Sequence, residues 1–281
     1  MGCARKSKET KKMNRFIILF FSLMLFSCKE EGRKWKFVKK IELPQKARPL
    51  AMAKNGKNLW FSDPDHFRLL KIDLSGKVLD SIVGIQRPMN IDFNKGKLYV
   101  PEFLTDTIWV FENGKKSPLS LNAKPEAPAG LNVKGDTIAV ADFYNHRIIL
   151  QIGGQVSFIG KEGHDKGELY YPIDVKVQDN KIYIADAYNN RVQVFDFNGK
   201  ILNVIGEQDG FNVASAIAFD KNGFAVTDQE NSRVLIYDLN GALQQTLTAN
   251  INYPTDVLFD GNMLYITNFK ENTIVEYRKK S

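Results

Sequence analysis

Cysteine and histidine are scarce in this chain of 281 residues, and their scarcity excludes several kinds of chemistry. The two cysteines, Cys3 and Cys28, both lie near the N-terminus, so no disulfide framework holds the fold. The three histidines, His66, His146 and His164, are too scattered for a zinc centre built on converging imidazoles. A Gly-x-Ser-x-Gly nucleophile motif and a glycine-rich phosphate loop are also missing.

A basic surplus is absent from the body of the chain, although the formal net charge is +7. Residues 1–40 carry twelve Lys and Arg against three Glu, whereas the remaining 241 residues carry 27 basic and 29 acidic side chains. A nucleic-acid-binding surface needs a concentration of positive charge to match the phosphate backbone. We therefore expect no nucleic-acid partner.

An apolar run long enough to span a bilayer is also missing. The longest apolar-rich segment, residues 16–26, has eleven residues and follows three basic ones. As a helix it would measure about 16 Å, roughly half of a bilayer core. This pattern predicts a signal peptide over residues 1–27, with Met13 as a possible true start.

The segment Leu25-Phe26-Ser27-Cys28 resembles a bacterial lipobox, whose cysteine is acylated and becomes the mature N-terminus. The resemblance implies a lipoprotein with palmitate-like chains on Cys28 and a tether over residues 28–34. A plain secretory signal with an incidental cysteine is the alternative. Myristoylation at the first residues is disfavoured because Lys6 stands where that motif has Ser or Thr.

Lys29, Glu30 and Glu31 follow the cysteine and resemble a signal that sends some lipoproteins to the outer face of the bacterial outer membrane. An ordinary hydrophilic tether is the alternative. We therefore expect an outer-membrane lipoprotein of the bacterial envelope that contacts the membrane through its lipid anchor alone.

A short apolar theme ending in a polar residue occurs six times in the rest of the chain. The last residues of the theme are Asp63, Glu102, Asp142, Asp186, Asp228 and Asn268. Their spacing is close to 41 residues, and a period of that size is typical of four-stranded units that bury their faces against one another. The sequence therefore predicts an all-β, six-bladed β-propeller with antiparallel blades over residues 35–281.

The sixth unit lacks its fourth strand, because the chain ends soon after Tyr277. Residues 35–43 precede the first unit as the other fourth strands, here called strands d, precede theirs. We predict that this N-terminal strand completes the last blade. Closure of the ring removes exposed sheet edges and apolar blade faces.

The fourth unit contains Pro-Ile-Asp-Val (172–175), Ile-Tyr-Ile-Ala-Asp (182–186), Asn-Asn-Arg-Val-Gln-Val-Phe (189–195) and Gly199, and this pattern resembles the NHL repeat. Residues 141–148 resemble it as well. The resemblance implies a six-bladed ring that binds proteins, peptides or nucleic acids, while related six-bladed rings are lyases or lactonases.

Four of the theme's aspartates have an arginine five residues later, and we predict that the two side chains interact as structural pairs. The pairs are Asp63–Arg68, Asp142–Arg147, Asp186–Arg191 and Asp228–Arg233. Where the acid is replaced, in the second and sixth units, threonine stands at the partner position. The two positions change together, which favours a scaffold role over a catalytic one.

Aromatic side chains concentrate in the segments predicted to form one face of the ring. The predicted ligand-binding residues are Phe103, Phe143, Tyr144, Tyr171, Tyr188, Phe211 and Phe269. Aromatic loops around a central depression suit stacking on a sugar ring or gripping a peptide. Packing between blades as covers for the core is the alternative.

Three polar residues from alternate blades, Asn90, Asp174 and Asp256, are predicted to converge near the axis of the ring. Oxygen ligands of this kind suit Ca²⁺, which is the one cofactor the sequence suggests. A polar lining of a water-filled channel is the alternative.

The leading hypothesis is a monomeric, non-catalytic binding module that holds a peptide, protein or glycan. The alternative is a metal-dependent, lactonase-like hydrolase or lyase with its site at the central channel. A third hypothesis is a structural partner in an envelope complex.

Overall fold

The computed structural model describes Met1 and residues 34–44 and 46–280. The predicted signal peptide after Met1, Cys28 and the tether as far as residue 33 lie outside the described residues. Within the described residues, no helix is both long enough and apolar enough to cross a membrane.

The described residues form six antiparallel sheets of four strands each, which are the blades of a propeller. In chain order the strands are β1 (Trp35–Glu42), then β2 (Met52–Asn55), β3 (Asn58–Asp63), β4 (Arg68–Ile72) and β5 (Val78–Val83) in blade 1, and β6 (Asp92–Asn94), β7 (Lys97–Glu102), β8 (Thr107–Glu112) and β9 (Lys115–Pro118) in blade 2. Blade 3 contains β10 (Pro128–Lys134), β11 (Thr137–Asp142), β12 (Arg147–Ile152) and β13 (Gln155–Ile159), and blade 4 contains β14 (Pro172–Gln178), β15 (Lys181–Asp186), β16 (Arg191–Asp196) and β17 (Ile201–Ile205). Blade 5 contains β18 (Ala214–Asp220), β19 (Gly223–Asp228), β20 (Arg233–Asp238) and β21 (Leu243–Leu247), and blade 6 contains β22 (Val257–Asp260), β23 (Met263–Asn268) and β24 (Thr273–Lys279). Short 3-10 turns occupy Pro64–His66 and Ala187–Asn189.

The N-terminal strand β1 closes the ring, as predicted. It pairs antiparallel with β24, from Trp35 opposite Lys279 to Glu42 opposite Thr273. The sheet order of blade 6 is β1-β24-β23-β22, so the first strand of the described chain is the outer strand of the last blade. The predicted fold class is therefore confirmed.

The hydrophobic core is divided into layers between adjacent blades. Between blades 3 and 4, for example, Ile148 and Leu150 belong to the same buried cluster as Val175 and Phe195. Each sheet is covered on both faces, which is why its two middle strands are apolar almost throughout. No blade has a complete core of its own, so the fold depends on all six blades being present.

The connections between strands divide into two faces of the ring. We call the strands of each blade a to d from the axis outward. The loop face consists of the b–c turns and the d–a connections, residues 43–44, 46–51, 64–67, 84–91, 103–106, 119–127, 143–146, 160–171, 187–190, 206–213, 229–232, 248–256 and 269–272. The turn face consists of the a–b and c–d turns, residues 56–57, 73–77, 95–96, 113–114, 135–136, 153–154, 179–180, 197–200, 221–222, 239–242 and 261–262.

Removing residues 1–43 deletes β1 and should abolish cooperative thermal unfolding. The deletion would expose the edge of β24 and open the two apolar layers on either side of blade 6, because the buried Trp35 belongs to the layer with blade 5 and the buried Ile41 to the layer with blade 1. Circular dichroism during heating measures the transition, and a chain lacking residues 1–33, which keeps β1, is the control. Equal melting curves for the two proteins would contradict the closure.

Candidate binding site on the loop face

The predicted aspartate–arginine pairs form at the end of strand b. In blades 1, 3, 4 and 5 the arginine Nε donates to the aspartate Oδ2 over 2.6–2.8 Å. All four aspartates are fully buried. A buried carboxylate is costly unless it is paired and hydrogen-bonded, so its other oxygen also needs a donor.

That second donor is a backbone N–H from the preceding d–a connection, and it is present in all six blades. In each blade the acceptor is a side-chain oxygen of the last residue of strand b, and the N···O distances range from 2.6 to 3.1 Å. The backbone N–H donors belong to Arg48, Gln86, Glu126, Tyr170, Asn212 and Asn252. The buried side chain therefore ties the d–a connection to the b–c turn. Sequence reasoning missed this bond, although the donor lies 16 residues before its acceptor in five of the six blades.

Blades 2 and 6 keep the arrangement with other side chains. Glu102 accepts hydrogen bonds from the Thr105 hydroxyl and from Trp109 Nε1, the latter over 2.9 Å. Burial works to raise the pKa of Glu102, but these hydrogen bonds and the one from the Gln86 N–H outweigh it and lower the pKa. In blade 6, Asn268 Nδ2 donates to the Thr273 hydroxyl over 3.2 Å.

Six aromatic rings from blades 2, 3 and 4 form a continuous group that we call the aromatic ridge. Its members are Phe103, Phe143, Tyr144, Tyr170, Tyr171 and Tyr188. Ring centroids lie 5.5 Å apart for Phe103 and Phe143, 4.8 Å for Phe143 and Tyr171, and 5.2 Å for Tyr171 and Tyr188. Most contacts are tilted or edge-to-face, the geometry that aromatic pairs prefer.

The side chains of the ridge differ in their exposure to solvent. Phe103 is 9% exposed, whereas Tyr144 is 50% and Tyr188 is 55% exposed. Tyr144 and Tyr188 occupy equivalent positions, two residues after the buried aspartates Asp142 and Asp186. The two tyrosines therefore expose large apolar surfaces on the loop face while neighbouring rings pack against them.

His146 contacts the two tyrosines at the centre of the ridge, Tyr170 and Tyr171. The backbone N–H of Tyr171 donates to His146 Nδ1 over 3.1 Å, which leaves Nε2 as the protonated nitrogen of the neutral ring. The imidazole also stacks on Tyr170 with centroids 5.2 Å apart. Because His146 is buried and engaged in this way, its role here is to position the tyrosines.

The other two predicted ligand-binding aromatics lie apart from the ridge. Phe269 belongs to blade 6, where its ring lies 6.3 Å from that of Tyr253 and faces the Arg48 guanidinium at 5.5 Å. Phe211 is 6% exposed and packs in the layer between blades 4 and 5. A Cβ at Gly206 would approach the Phe211 ring to 2.0 Å, so the glycine makes room for this packing. Phe211 thus lies in the core, as in the alternative that the sequence left open.

The three predicted axial residues lie at the central channel, and a lysine accompanies them. Lys176 Nζ lies 3.0 Å from Asp174 Oδ1, and the channel opens on the turn face as a cavity of about 450 Å³ lined by Asn90, Lys176 and Asp256, among others. Burial works to lower the pKa of Lys176, but the nearby carboxylates outweigh it and raise that pKa. The ammonium group therefore neutralises the acids at the axis.

The axial carboxylates also join neighbouring blades. Asp174 Oδ2 accepts the backbone N–H of Ile217 from blade 5 over 2.9 Å, and Asp256 Oδ2 accepts that of Met52 from blade 1 over 2.6 Å. Burial raises the pKa of Asp256 to about 7, with Asp174 adding to the shift while Lys176 and the Met52 N–H oppose it.

These bonds bear on the predicted calcium site. Calcium takes six to eight oxygen ligands, and the carboxylate oxygens of Asp174 and Asp256 are already engaged by backbone N–H groups or by Lys176. Among the described residues, no three His, Cys, Asp or Glu side chains are grouped to hold a metal. The arrangement fits calcium poorly, and calcium binding here stays a prediction.

Comparisons with known proteins agree with this architecture. Residues 169–195 match the family model of the NHL repeat. This segment lies in the fourth unit, where the sequence pattern predicts the repeat, so that prediction is confirmed. A search of curated proteins found no match.

Solved structures with the same fold include a streptogramin B lyase, at 13% identity and a TM-score of 0.64 over 88% of each chain. A catalytically inactive virginiamycin B lyase from Staphylococcus aureus with quinupristin has 16% identity and a TM-score of 0.60, over 88% of this chain and 89% of that one. The WD40 propeller domain of Doa1 has 15% identity and a TM-score of 0.62, over 82% and 79%. At these identities the likeness establishes the fold alone.

Asp256→Asn should change how stability depends on pH. The pKa of Asp256 is about 7 in the fold, against about 3.9 in an unfolded chain. Protonation of Asp256 therefore makes its whole contribution to the free energy of unfolding below about pH 4. That contribution disappears as the pH rises to about 7. Urea unfolding across this range should show the variant improving relative to the wild type as the pH rises. A constant difference, as expected for the exposed control Asp80→Asn, would contradict the buried titration.

Proposed function

We propose that the protein is a monomeric, non-catalytic binding module, tethered to the bacterial envelope, that holds a peptide, protein or glycan on its loop face. The aromatic ridge carries this proposal, because Tyr144 and Tyr188 are half exposed and pack against partly buried rings of the same ridge. Rigid aromatic side chains give large contact area at little cost in conformational entropy. They suit the apolar, proline and sugar-ring groups of such ligands.

The matched NHL repeat and the structural neighbours support a recognition role without naming a ligand. Residues 169–195, which match the repeat, include Tyr170, Tyr171 and Tyr188 of the ridge. One neighbour was solved with quinupristin, and another is a WD40 domain. The range of functions in this fold is wide, so the proposal depends on the exposed rings of this chain.

One observation favours the enzymatic alternative, namely the buried carboxyl groups of Asp174 and Asp256 beside the partly buried Lys176 at the channel. A carboxyl group with a pKa near neutrality is common at catalytic sites, but buried ion-pair networks produce the same shift. The backbone hydrogen bonds from Ile217 and Met52 favour a structural role for this network. We therefore place ligand binding at the ridge.

Photo-crosslinking tests the ridge directly. A photoreactive phenylalanine analogue in place of Tyr188 should trap the ligand in cells, and mass spectrometry of the adduct identifies it. In titrations with that ligand, Tyr144→Ala and Tyr188→Ala should each weaken binding about tenfold, because one aromatic contact contributes about 1.5 kcal/mol.

Phe158→Ala is the matched control. Phe158 is 51% exposed but lies on β13, outside the loop face. Its removal should leave the affinity unchanged. If the ridge variants bind as tightly as this control, the ligand does not use the ridge.

A further inference from the structure

Exposed lysines surround the channel mouth on the turn face. Each of blades 1 to 5 has one exposed lysine at or beside its a–b turn, namely Lys57, Lys95, Lys134, Lys181 and Lys221. These turns connect the innermost strands, so the lysines form a ring around the axis. We call this set the lysine ring.

The sixth blade has no lysine in its a–b turn and contributes charge from its two outer strands instead. The backbone N–H of Lys280 donates to the carbonyl oxygen of Lys34 over 3.2 Å, and that of Lys279 donates to the carbonyl oxygen of Asn262 over 2.9 Å. Lys34 and Lys280 are both exposed. Positive charge is therefore present on the turn face of all six blades, at the a–b turn in blades 1 to 5 and at the outer strands in blade 6.

Asp136 and Asp179 lie in the a–b turns beside Lys134 and Lys181, so the least opposed charges are those of Lys57, Lys95 and Lys221. Elsewhere on the turn face, Lys54 pairs with Asp260 and Lys279 with Asp220. Among the described residues, however, none of the five a–b lysines takes part in an ion pair within 4.0 Å. Over the segments that define each face, the loop face contains eleven acids and seven Lys or Arg, whereas the turn face contains three acids and five lysines.

The chain enters the propeller on this same face. Strand β1 begins at Trp35 beside the turn face and runs to Glu42 at the loop face. Cys28 precedes Lys34 by six residues, which span at most about 20 Å when extended. A lipid anchor on Cys28 would therefore hold the lysine ring close to the bilayer.

We propose that the lysine ring docks the turn face on an anionic membrane surface, so that the aromatic ridge points away from the membrane. The proposal rests on the envelope tether of the proposed function, and it replaces the expectation from the sequence that the lipid anchor alone contacts the membrane. Lysines near an anionic surface are attracted to it within about one Debye length, about 8 Å at physiological salt. One acyl anchor and one basic surface together give more stable attachment than either alone.

Cysteine labelling on vesicles tests the orientation. The full acylated protein is reconstituted on vesicles of phosphatidylcholine with or without phosphatidylglycerol, with one cysteine added on either face. Asn262→Cys lies on the turn face and Gln208→Cys on the loop face, and both positions are exposed. A maleimide polymer should label Asn262→Cys several-fold more slowly on phosphatidylglycerol vesicles, whereas Gln208→Cys should react at one rate on both.

Charge reversal tests whether the lysines cause the slow labelling of Asn262→Cys. Lys57→Glu, Lys95→Glu and Lys221→Glu together should restore fast labelling of Asn262→Cys. The control Lys46→Glu, Lys124→Glu and Lys270→Glu, with the same charge change on the loop face, should not. All six side chains are exposed, so melting curves are expected to match the parent protein.

The outcomes separate the anchor from the docking. A protein that fails to float with the vesicles, or lacks acyl mass, overturns both the anchor and the docking, while the ridge remains testable by crosslinking. A protein that floats but labels equally at both positions overturns the docking alone. Slow labelling of Gln208→Cys would show that the loop face lies against the membrane, and would overturn the proposed orientation.

Discussion

The structure depends on a buried hydrogen-bond acceptor at the end of each second strand. In every blade this side chain accepts the backbone N–H of the d–a connection, and in four blades it also pairs with an arginine. In each blade a single side chain thereby fixes both the d–a connection and the b–c turn, the two kinds of segment that form the loop face. Without it, the backbone N–H of the d–a connection and, in four blades, the arginine guanidinium would lose their partner at once.

The candidate binding surface is a consequence of that anchoring. Tyr170 belongs to the d–a connection held by Asp186, and Tyr188 belongs to the b–c turn that follows the same aspartate. The aromatic ridge is therefore built on segments whose backbone is fixed by buried bonds. Preorganised loops lose little entropy when a ligand binds. At the axis, Asp174 and Asp256 join neighbouring blades in a similar way, through backbone N–H groups.

The fold could be predicted from the sequence because its signals repeat. Six copies of one theme reveal the period, and the missing last strand reveals the role of residues 35–43. The five-residue spacing of Asp186 and Arg191 was also sufficient to predict their contact, since a short turn brings such residues opposite each other.

The sites were harder to predict because they depend on contacts between units. Lys176 lies two residues after Asp174 on one strand, and the two-residue period of a strand places both side chains on the same face. Only the closed ring shows that Asp256 lies near enough to act on the charge of Lys176. Phe211 is a loop aromatic in sequence, but Gly206 leaves room for it in the core. A single sequence does not distinguish that packing from an exposed position.

The central claim, that buried acceptors hold the loop face, is tested most directly by urea unfolding of Asp186→Ala. Asp186 accepts hydrogen bonds from the Tyr170 N–H and from the side chains of Asn189, Arg191 and Gln193. Removing it should lower the free energy of unfolding by about 3–5 kcal/mol, since those donors lose a buried charged partner. A loss no larger than that of the exposed control Asp80→Ala would contradict the account.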